Sequence, residues 1–455
     1  MNAVQNIIGK FMPLKRRLNP SRRIALVFLL AILIGALLLM LPVSARDRTS
    51  TPFITALFTS TSAVCVTGLT LVETGTYFSL FGQAVIMCLI EIGGLGFMTV
   101  LIIAFVAANK HIGISQRLML AESLGLERIE GVVRLTKIIF KASLLFELAG
   151  AIALSLRFIP RFGILNGIWF SIFHSVSAFC NAGFDIFGNG NSIASFSGDY
   201  LVLITLACLI IIGGIGFVVW EETARKRKFK KLSVYSRLVI IMTLGLIVFG
   251  TIGFFVLEMN NPETIADKSM GQKILASFFQ AVTTRTAGFD AVNQTALGQN
   301  SKLLTIILMM IGGASGSTAG GIKVVTMAVA LVSLRAVWFN KTDVIVMGRK
   351  VKKSTCVYAL ALVSMWLILV IAGGSVISTL DHVPLIDALY EAASAYGTVG
   401  LSEGVTAVSS MPSKALLILY MFMGRVGILT VSVSFTMTAK KKARIDYPDV
   451  NLLIG

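Results

Sequence analysis

Apolar residues in this chain come in long, nearly charge-free runs, and a shorter, less apolar run sits inside each successive pair. The long runs begin near Ile24, Ile138, Leu238 and Cys356, and a second set begins near Gln83, Leu201, Leu303 and Ala415. The run from Ile24 to Val43 is about 20 residues, enough for ~30 Å of hydrocarbon and too long for a signal-peptide core. It predicts a retained first helix. The bracketed runs are Pro52 to Leu69, Gly167 to Phe184, Gln272 to Phe289 and Pro384 to Leu401. Each offers about a dozen helical residues and a glycine-bearing tail, too little to span a bilayer, so each predicts a re-entrant segment. Pro52 and Pro384 suit the first turn of such short helices.

The tails align with one another. They read Val66-Thr67-Gly68-Leu69, Asn181-Ala182-Gly183-Phe184, Thr286-Ala287-Gly288-Phe289 and Thr398-Val399-Gly400-Leu401, at near-equal spacing. A second glycine signature follows each tail, inside what reads as the next long helix: Gly93-Gly94-Leu95-Gly96, Gly213-Gly214-Ile215-Gly216, Gly312-Gly313-Ala314-Ser315 and Gly424-Arg425-Val426-Gly427. Four matches in register predict an internal repeat. The expected fold is an all-α polytopic membrane protein of four helix–pore loop–helix pseudo-repeats, with eight spanning helices and four re-entrant pore helices. The expected divisions are an arm at 1–23, repeats at 24–109, 138–224, 238–335 and 355–439, and a tail at 440–455.

Composition sharpens the class. The chain is 56% hydrophobic and 14% charged, with mean hydropathy +0.85, where soluble domains carry roughly 25% charged residues. The net charge is +18, from 40 Lys+Arg against 22 Asp+Glu. Most of the basic residues fall in the N-terminal arm, in Lys110 to Lys137, Arg225 to Arg237 and Arg335 to Lys353, and in Lys440 to Arg444. The positive-inside rule then predicts that both termini and these loops are cytoplasmic. Topology thus accounts for the Arg225 to Lys231 run without a nucleic-acid partner. The five cysteines form no CxxC pair, so their spacing predicts neither a disulfide framework nor a zinc site.

Non-helical backbone cannot face lipid, so four such tails must line a shared, hydrated axis. Glycine suits a strand whose carbonyls turn inward, and rings of carbonyls replace a cation's hydration shell. The short helices before the tails aim their partially negative ends at the same focus. The tails resemble the single-glycine filters of the Trk/Ktr/HKT superfamily of potassium transporters. Thr284-Arg285-Thr286-Ala287-Gly288-Phe289 and the run from Gly312 to Lys323 carry the resemblance further, most of all to the membrane subunits of Ktr systems. The resemblance implies potassium uptake across the cell membrane, in some members linked to sodium, with no organic cofactor on this chain. It also implies a homodimer and a cytoplasmic ring of regulatory subunits of the RCK type binding ATP or ADP. Expected backbone ligands are Val66, Thr67 and Gly68; Cys180, Asn181, Ala182 and Gly183; Arg285, Thr286, Ala287 and Gly288; and Gly397, Thr398, Val399 and Gly400. A single glycine in each tail predicts fewer well-formed sites than a channel filter of paired glycines has. The rival is a cation-coupled carrier with midplane binding and alternating access, for which broken helices and repeats are also expected. A membrane enzyme is excluded because no nucleophile–base set is present.

The run Gly312, Gly313, Ala314, Ser315, Gly316, Ser317, Thr318, Ala319, Gly320, Gly321 opposes a regular helix. It reads either as a small-residue helix-crossing seam or, as the family resemblance implies, as an unwound gate beneath the filter. Arg425 falls near mid-bilayer and needs acceptors. It is expected to bond carbonyls or hydroxyls of that run and hold it closed, with snorkelling to an interface as the rival. Lys323 is expected to be solvated at the cytoplasmic mouth. Glu91 and Glu147 read as buried structural hydrogen-bonding groups or partners to a nearby cation, rather than as proton relays. Arg285 reads as a brace for its pore loop, His174 as a core histidine, and Cys65 and Cys180 as packing. The Lys440 to Arg444 tail is either a lipid anchor or a dimer or regulatory contact.

Overall fold

The computed structural model describes residues 20–96, 99, 131–188 and 192–427. The expectations for the N-terminal arm, for the basic loop before residue 131 and for the 440–455 tail lie outside these residues. The described chain is predominantly helical. Its longer helices are α1 Pro20–Met40, α2 Phe53–Cys65, α3 Leu80–Gly94, α4 Val132–Phe162, α5 Ile164–Phe179, α6 Tyr200–Ile215 and α7 Phe217–Lys226. They continue as α8 Val234–Glu258, α9 Met270–Thr283, α10 Gln299–Met310, α11 Val324–Trp338, α12 Lys353–Asp381, α13 Leu385–Gly397 and α14 Met411–Val426. A small antiparallel hairpin, β1 Ile345–Val346 with β2 Arg349–Lys350, links α11 to α12.

The packing inverts that of a soluble protein. The long helices α4, α8 and α12 turn large apolar side chains outward: Leu145, Leu148, Ile152 and Leu156 on α4, Val248, Ile252 and Val256 on α8, Ile368 and Ile371 on α12. The short helices α2, α5, α9 and α13 occupy the centre and bury hydroxyls there, among them Thr59, Ser60, Thr61, Ser62, Ser175, Ser177, Thr283 and Ser394. An apolar shell around a polar centre is stable only when the surroundings are themselves apolar. Buried hydroxyls need acceptors, and the backbone supplies them: Ser60 Oγ donates to Ile32 O at 2.7 Å and Ser175 Oγ to Glu147 O at 2.6 Å. Both serines pack beside an outer-helix glycine, Gly35 and Gly150 respectively, where an added methyl would collide with the serine and with Leu89 or Leu209.

The inner helices depart from expectation. Each glycine signature ends a helix instead of lying within one. Gly96, Gly216 and Gly427 have φ of 80°, 97° and 88°, outside the α region. At Gly216 the chain turns by 95° between α6 and α7. Between α10 and α11 the helix is replaced by the whole run from Ile311 to Lys323. Three described helices, α4, α8 and α12, are long and apolar enough to cross a membrane singly, and the bent pair α6 and α7 passes together. The short central helices start within a few residues of the expected positions, with Pro52 and Pro384 at the N-cap rather than in the first turn.

Candidate functional site, a ring of glycine-bearing tails

Each central helix runs into its tail through the same backbone sequence. Two residues before the tail glycine stands a non-glycine residue in the left-handed region: Val66 at φ 57°, Asn181 at 58°, Thr286 at 68° and Thr398 at 52°. The glycines follow at φ 95°, 68°, 75° and 96°. Left-handed geometry costs a non-glycine residue about 1–2 kcal/mol, so its recurrence needs support from the surroundings. Hydroxyls on the central helices provide some of it. Ser62 Oγ accepts from Gly68 N and Ser394 Oγ from Gly400 N, each at 3.0 Å. Ser177 Oγ donates to Phe184 O at 2.8 Å, and Thr283 Oγ1 both donates to Phe289 O and accepts from Phe289 N, at 2.9 and 2.8 Å.

The four tails close on one another. A methyl added to Gly68 would meet Gly183 Cα at 3.2 Å, one on Gly183 would meet Gly288 Cα at 2.9 Å, and one on Gly288 would meet Gly400 Cα at 3.0 Å. One on Gly400 would meet Gly68 Cα at 3.0 Å and completes the circuit. The carbonyl oxygens of Ala182, Ala287, Val399 and Thr67 sit at the same four contacts. Of the other residues singled out in the tails, Cys180 lies fully buried behind the second tail, and Gly397 packs against Met309 O. The Thr67, Thr286 and Thr398 hydroxyls are buried with no hydrogen-bond partner among the described residues.

The Gly312–Gly321 run lies against the start of the tails. Gly320 packs on the Thr398 side chain, and Gly321 faces Gly397 O. The run is pinned from several sides. Gly312 N donates to Ile322 O at 2.8 Å, Ala314 N to Gly214 O at 2.9 Å, and Thr318 Oγ1 to Phe179 O at 3.1 Å. Tyr235 Oη donates to Ser315 O at 3.0 Å. Ser317 Oγ bonds back to Ala314 O at 2.6 Å. Ala319 O accepts from Lys323 Nζ at 2.7 Å, so Lys323 is tied to the run rather than simply solvated. Gly313 and Gly316 fit beside α6 and α7, with Gly316 O accepting from Phe217 N at 2.9 Å. Arg425 donates to Thr318 O in this run and to Gly93 O, and reaches Gly94 O at 3.3 Å. One guanidinium thus joins the run to the glycine signature of α3. Arg285 points away from the ring toward α8, where Nη2 reaches Thr243 Oγ1 at 3.4 Å. His174 is fully buried, bonds Phe170 O through Nδ1 at 2.7 Å and stacks on Phe187 at 4.1 Å.

The tails begin at the Gly312–Gly321 run and end at a cavity of about 490 Å³, lined by all four tail glycines together with Glu73, Asp185 and Asp290. Burial pushes the Asp185 carboxyl up to about 6. Burial, then the neighbouring charges of Asp185, Glu403 and Glu391, holds Asp290 well above the usual carboxylate range. Glu403 stands behind the wall, where Lys302 Nζ pairs with its Oε2 at 2.9 Å and with Asp387 at 2.8 Å. Burial nonetheless raises Glu403 to about 7. Sequence reasoning missed these carboxylates. The available signal was an acidic residue two or three places after three of the tail glycines.

Apolar outside, polar and ring-shaped at its centre, with the tails set between an open cavity and a pinned loop, the molecule has the architecture of a membrane transport protein. A family model described as a cation transport protein, TrkH, matches residues 23–445, and the chain belongs to this family. It is a transporter, not an enzyme. It is 40% identical to the potassium/sodium uptake protein NtpJ of Enterococcus hirae over 97% of this chain and 98% of that one. It is 39% identical to the Ktr system potassium uptake protein B of Bacillus subtilis, covering 96% and 97% of the two chains. The crystal structure of the potassium transporter TrkH from Vibrio parahaemolyticus matches the fold with TM-score 0.72, at 18% identity, over 93% of this chain and 86% of that one.

Proposed function

We propose that this protein takes up potassium across the cell membrane through the ring of tails, whose backbone carbonyls replace the ion's water. The observation that carries this is the closed circuit of Gly68, Gly183, Gly288 and Gly400, in which each glycine leaves no room for a side chain against the next tail. Four carbonyl-bearing strands around one axis, with buried threonine hydroxyls lacking partners, form a site that a desolvated cation would complete. The names of the two curated relatives support potassium, and the first supports sodium as a second permeant ion. The Asp185 and Asp290 cavity then serves as the entry, where carboxyls concentrate cations as they ionise.

The chain is read as four pseudo-repeats, each an outer helix, a central helix with its tail, and an inner helix, together crossing the membrane eight times. Support comes from the common left-handed residue before each glycine and from the matching Gly35–Ser60 and Gly150–Ser175 contacts. The second inner span is a broken one, bent by 95° at Gly216, and the third is interrupted by the run from Ile311 to Lys323. The basic loops favour a cytoplasmic side for both termini. The Gly312–Gly321 run with Arg425 is the gate, closing the path just below the tails until the run moves. A homodimer and a cytoplasmic nucleotide-binding regulatory ring complete the assembly, in keeping with the "system" in the name of the Bacillus relative.

The test is potassium-limited growth of a transport-deficient strain expressing this chain with and without a cognate regulatory subunit, joined to rubidium uptake in proteoliposomes. Growth rescue and saturable rubidium entry are expected. Uptake that needs a fixed stoichiometry of a second ion would replace the pore by a carrier.

A further inference from the structure

Behind the second tail, three elements bring together side chains that potassium permeation leaves unused. Glu91 comes from α3, Glu147 from α4 and Cys180 from the C-cap of α5. One carboxylate oxygen from each glutamate and the Cys180 Sγ all lie within 4.8 Å of one another. The Cys180 thiol donates to Glu91 Oε2 at 3.4 Å. Glu147 is only 6% exposed, its Oε1 is buried with no partner that donates to it among the described residues, and its carboxyl faces that of Glu91. Glu91 Oε1 is likewise buried and unpartnered among them. The guanidinium nearby does not compensate these oxygens, because Arg425 directs its N–H groups at the carbonyls of Thr318, Gly93 and Gly94. Buried carboxylates are stable when paired or when they coordinate a metal.

We propose that Glu91, Glu147 and Cys180 form a binding site for a thiophilic divalent cation of the zinc and cadmium class. Two carboxylate oxygens and a thiolate are a donor set that zinc accepts, with a fourth position left for water. The sulfur disfavours the hard cations that prefer all-oxygen sites. Cysteine spacing could not show such a site, because the ligands come from three separate helical elements. Glu91 is only partly buried, which gives the ion an approach. Binding displaces the thiol proton and any proton the carboxyls share. The ion would clamp α3 and α4 to the end of α5. Cys180 packs against Gly94, where an added methyl would lie 2.5 Å from the sulfur, so the clamp acts on the second tail and on the carbonyls that Arg425 holds. The site stands whether or not potassium is the permeant ion.

The experiment is a cadmium titration of the purified full chain in detergent, followed by the ultraviolet thiolate-to-cadmium charge-transfer band, with proton release and the thermal midpoint measured alongside. Saturation at one equivalent, displacement by zinc and a raised midpoint are expected. Cys180→Ser should lose the band, and Glu91→Gln or Glu147→Gln should weaken binding at least about tenfold. Cys88→Ser, which removes an exposed thiol on the same helix as Glu91, should bind as the parent does. No saturable band in the parent protein would overturn the site and leave a carboxyl pair sharing a proton. A band that survives Cys180→Ser, or one that neither glutamine variant weakens, would overturn it equally.

Discussion

The glycines of the ring and the glycines that break the inner helices share a positive φ, yet their surroundings differ. A methyl on any ring glycine would press on the backbone of the neighbouring tail. A methyl on Gly96 would meet no described atom within 4 Å, and one on Gly216 would meet Ala314 Cβ and Ser315 O at 3.2 Å. Ring positions are therefore fixed twice, by conformation and by contact, whereas among the described residues the break at Gly96 is fixed by conformation alone. The contrast separates a ring that no side chain can enter from a bend that leaves space for one.

Substitution in the ring should have the largest effect. Gly288→Ser places a side chain at φ 75° against Gly400 Cα, and discrimination of potassium over sodium should fall by at least about tenfold, the equivalent of about 1.4 kcal/mol. Competition of sodium against rubidium uptake measures it. An unchanged ratio would remove the distinction between the two glycine sets.

Releasing the Gly312–Gly321 run, the proposed gate, comes next. Arg425→Gln, or deletion of Gly312 to Ser317, should raise rubidium flux in the absence of the regulatory subunit. Hydrogen bonds to charged groups contribute about 1.5–3 kcal/mol, so a rise of at least about tenfold is expected. Flux unaltered by the deletion would leave the run as a helix-crossing seam.

A smaller effect is expected from external pH. The Glu403 and Asp185 carboxyls, raised to about 7 and about 6, are ionised above those values and neutral below them. Cation attraction to the cavity is thus present at alkaline pH and lost as pH falls through 7 and then 6. Losing one unit charge near the cation costs about 1 kcal/mol at aqueous permittivity, an apparent affinity loss of about fivefold. Asp185→Asn combined with Glu403→Gln should flatten this dependence, and a slope that persists would place the titrating group elsewhere. Smallest of all in its effect on transport, Gly96→Ala should cost about 1–2 kcal/mol of stability at this left-handed φ, read as a modest drop in thermal midpoint with ion discrimination preserved.

Much of this was legible in the sequence because the repeat is written in glycines. Gly68, Gly183, Gly288 and Gly400 announce positions that need an unusual backbone, and the structure brings all four together. The left-handed residues before them were not legible. Val66 and Thr398 carry side chains that ordinarily avoid that conformation, and only the tertiary frame forces them into it. Of the second glycine signatures, the run from Gly312 opposes a regular helix on sequence alone, whereas the other three read as parts of continuous helices. Hydropathy runs straight through Gly96 and Gly216, and the break is a matter of φ, to which apolar periodicity is blind. The neighbours of Arg425 could be anticipated in part, since a mid-membrane guanidinium needs acceptors, but its bond to Gly93 joins residues 332 positions apart. The Glu91, Glu147 and Cys180 cluster was invisible for the same reason.

The central claim is that the carbonyls of Thr67, Ala182, Ala287 and Val399 ring the permeant ion. Anomalous diffraction from crystals grown in thallium or rubidium salts tests it most directly. The account predicts anomalous density on the axis between these four oxygens, displaced when sodium replaces the heavier ion. Density found instead among the carboxylates of Asp185 and Asp290, with none between the tails, would contradict it.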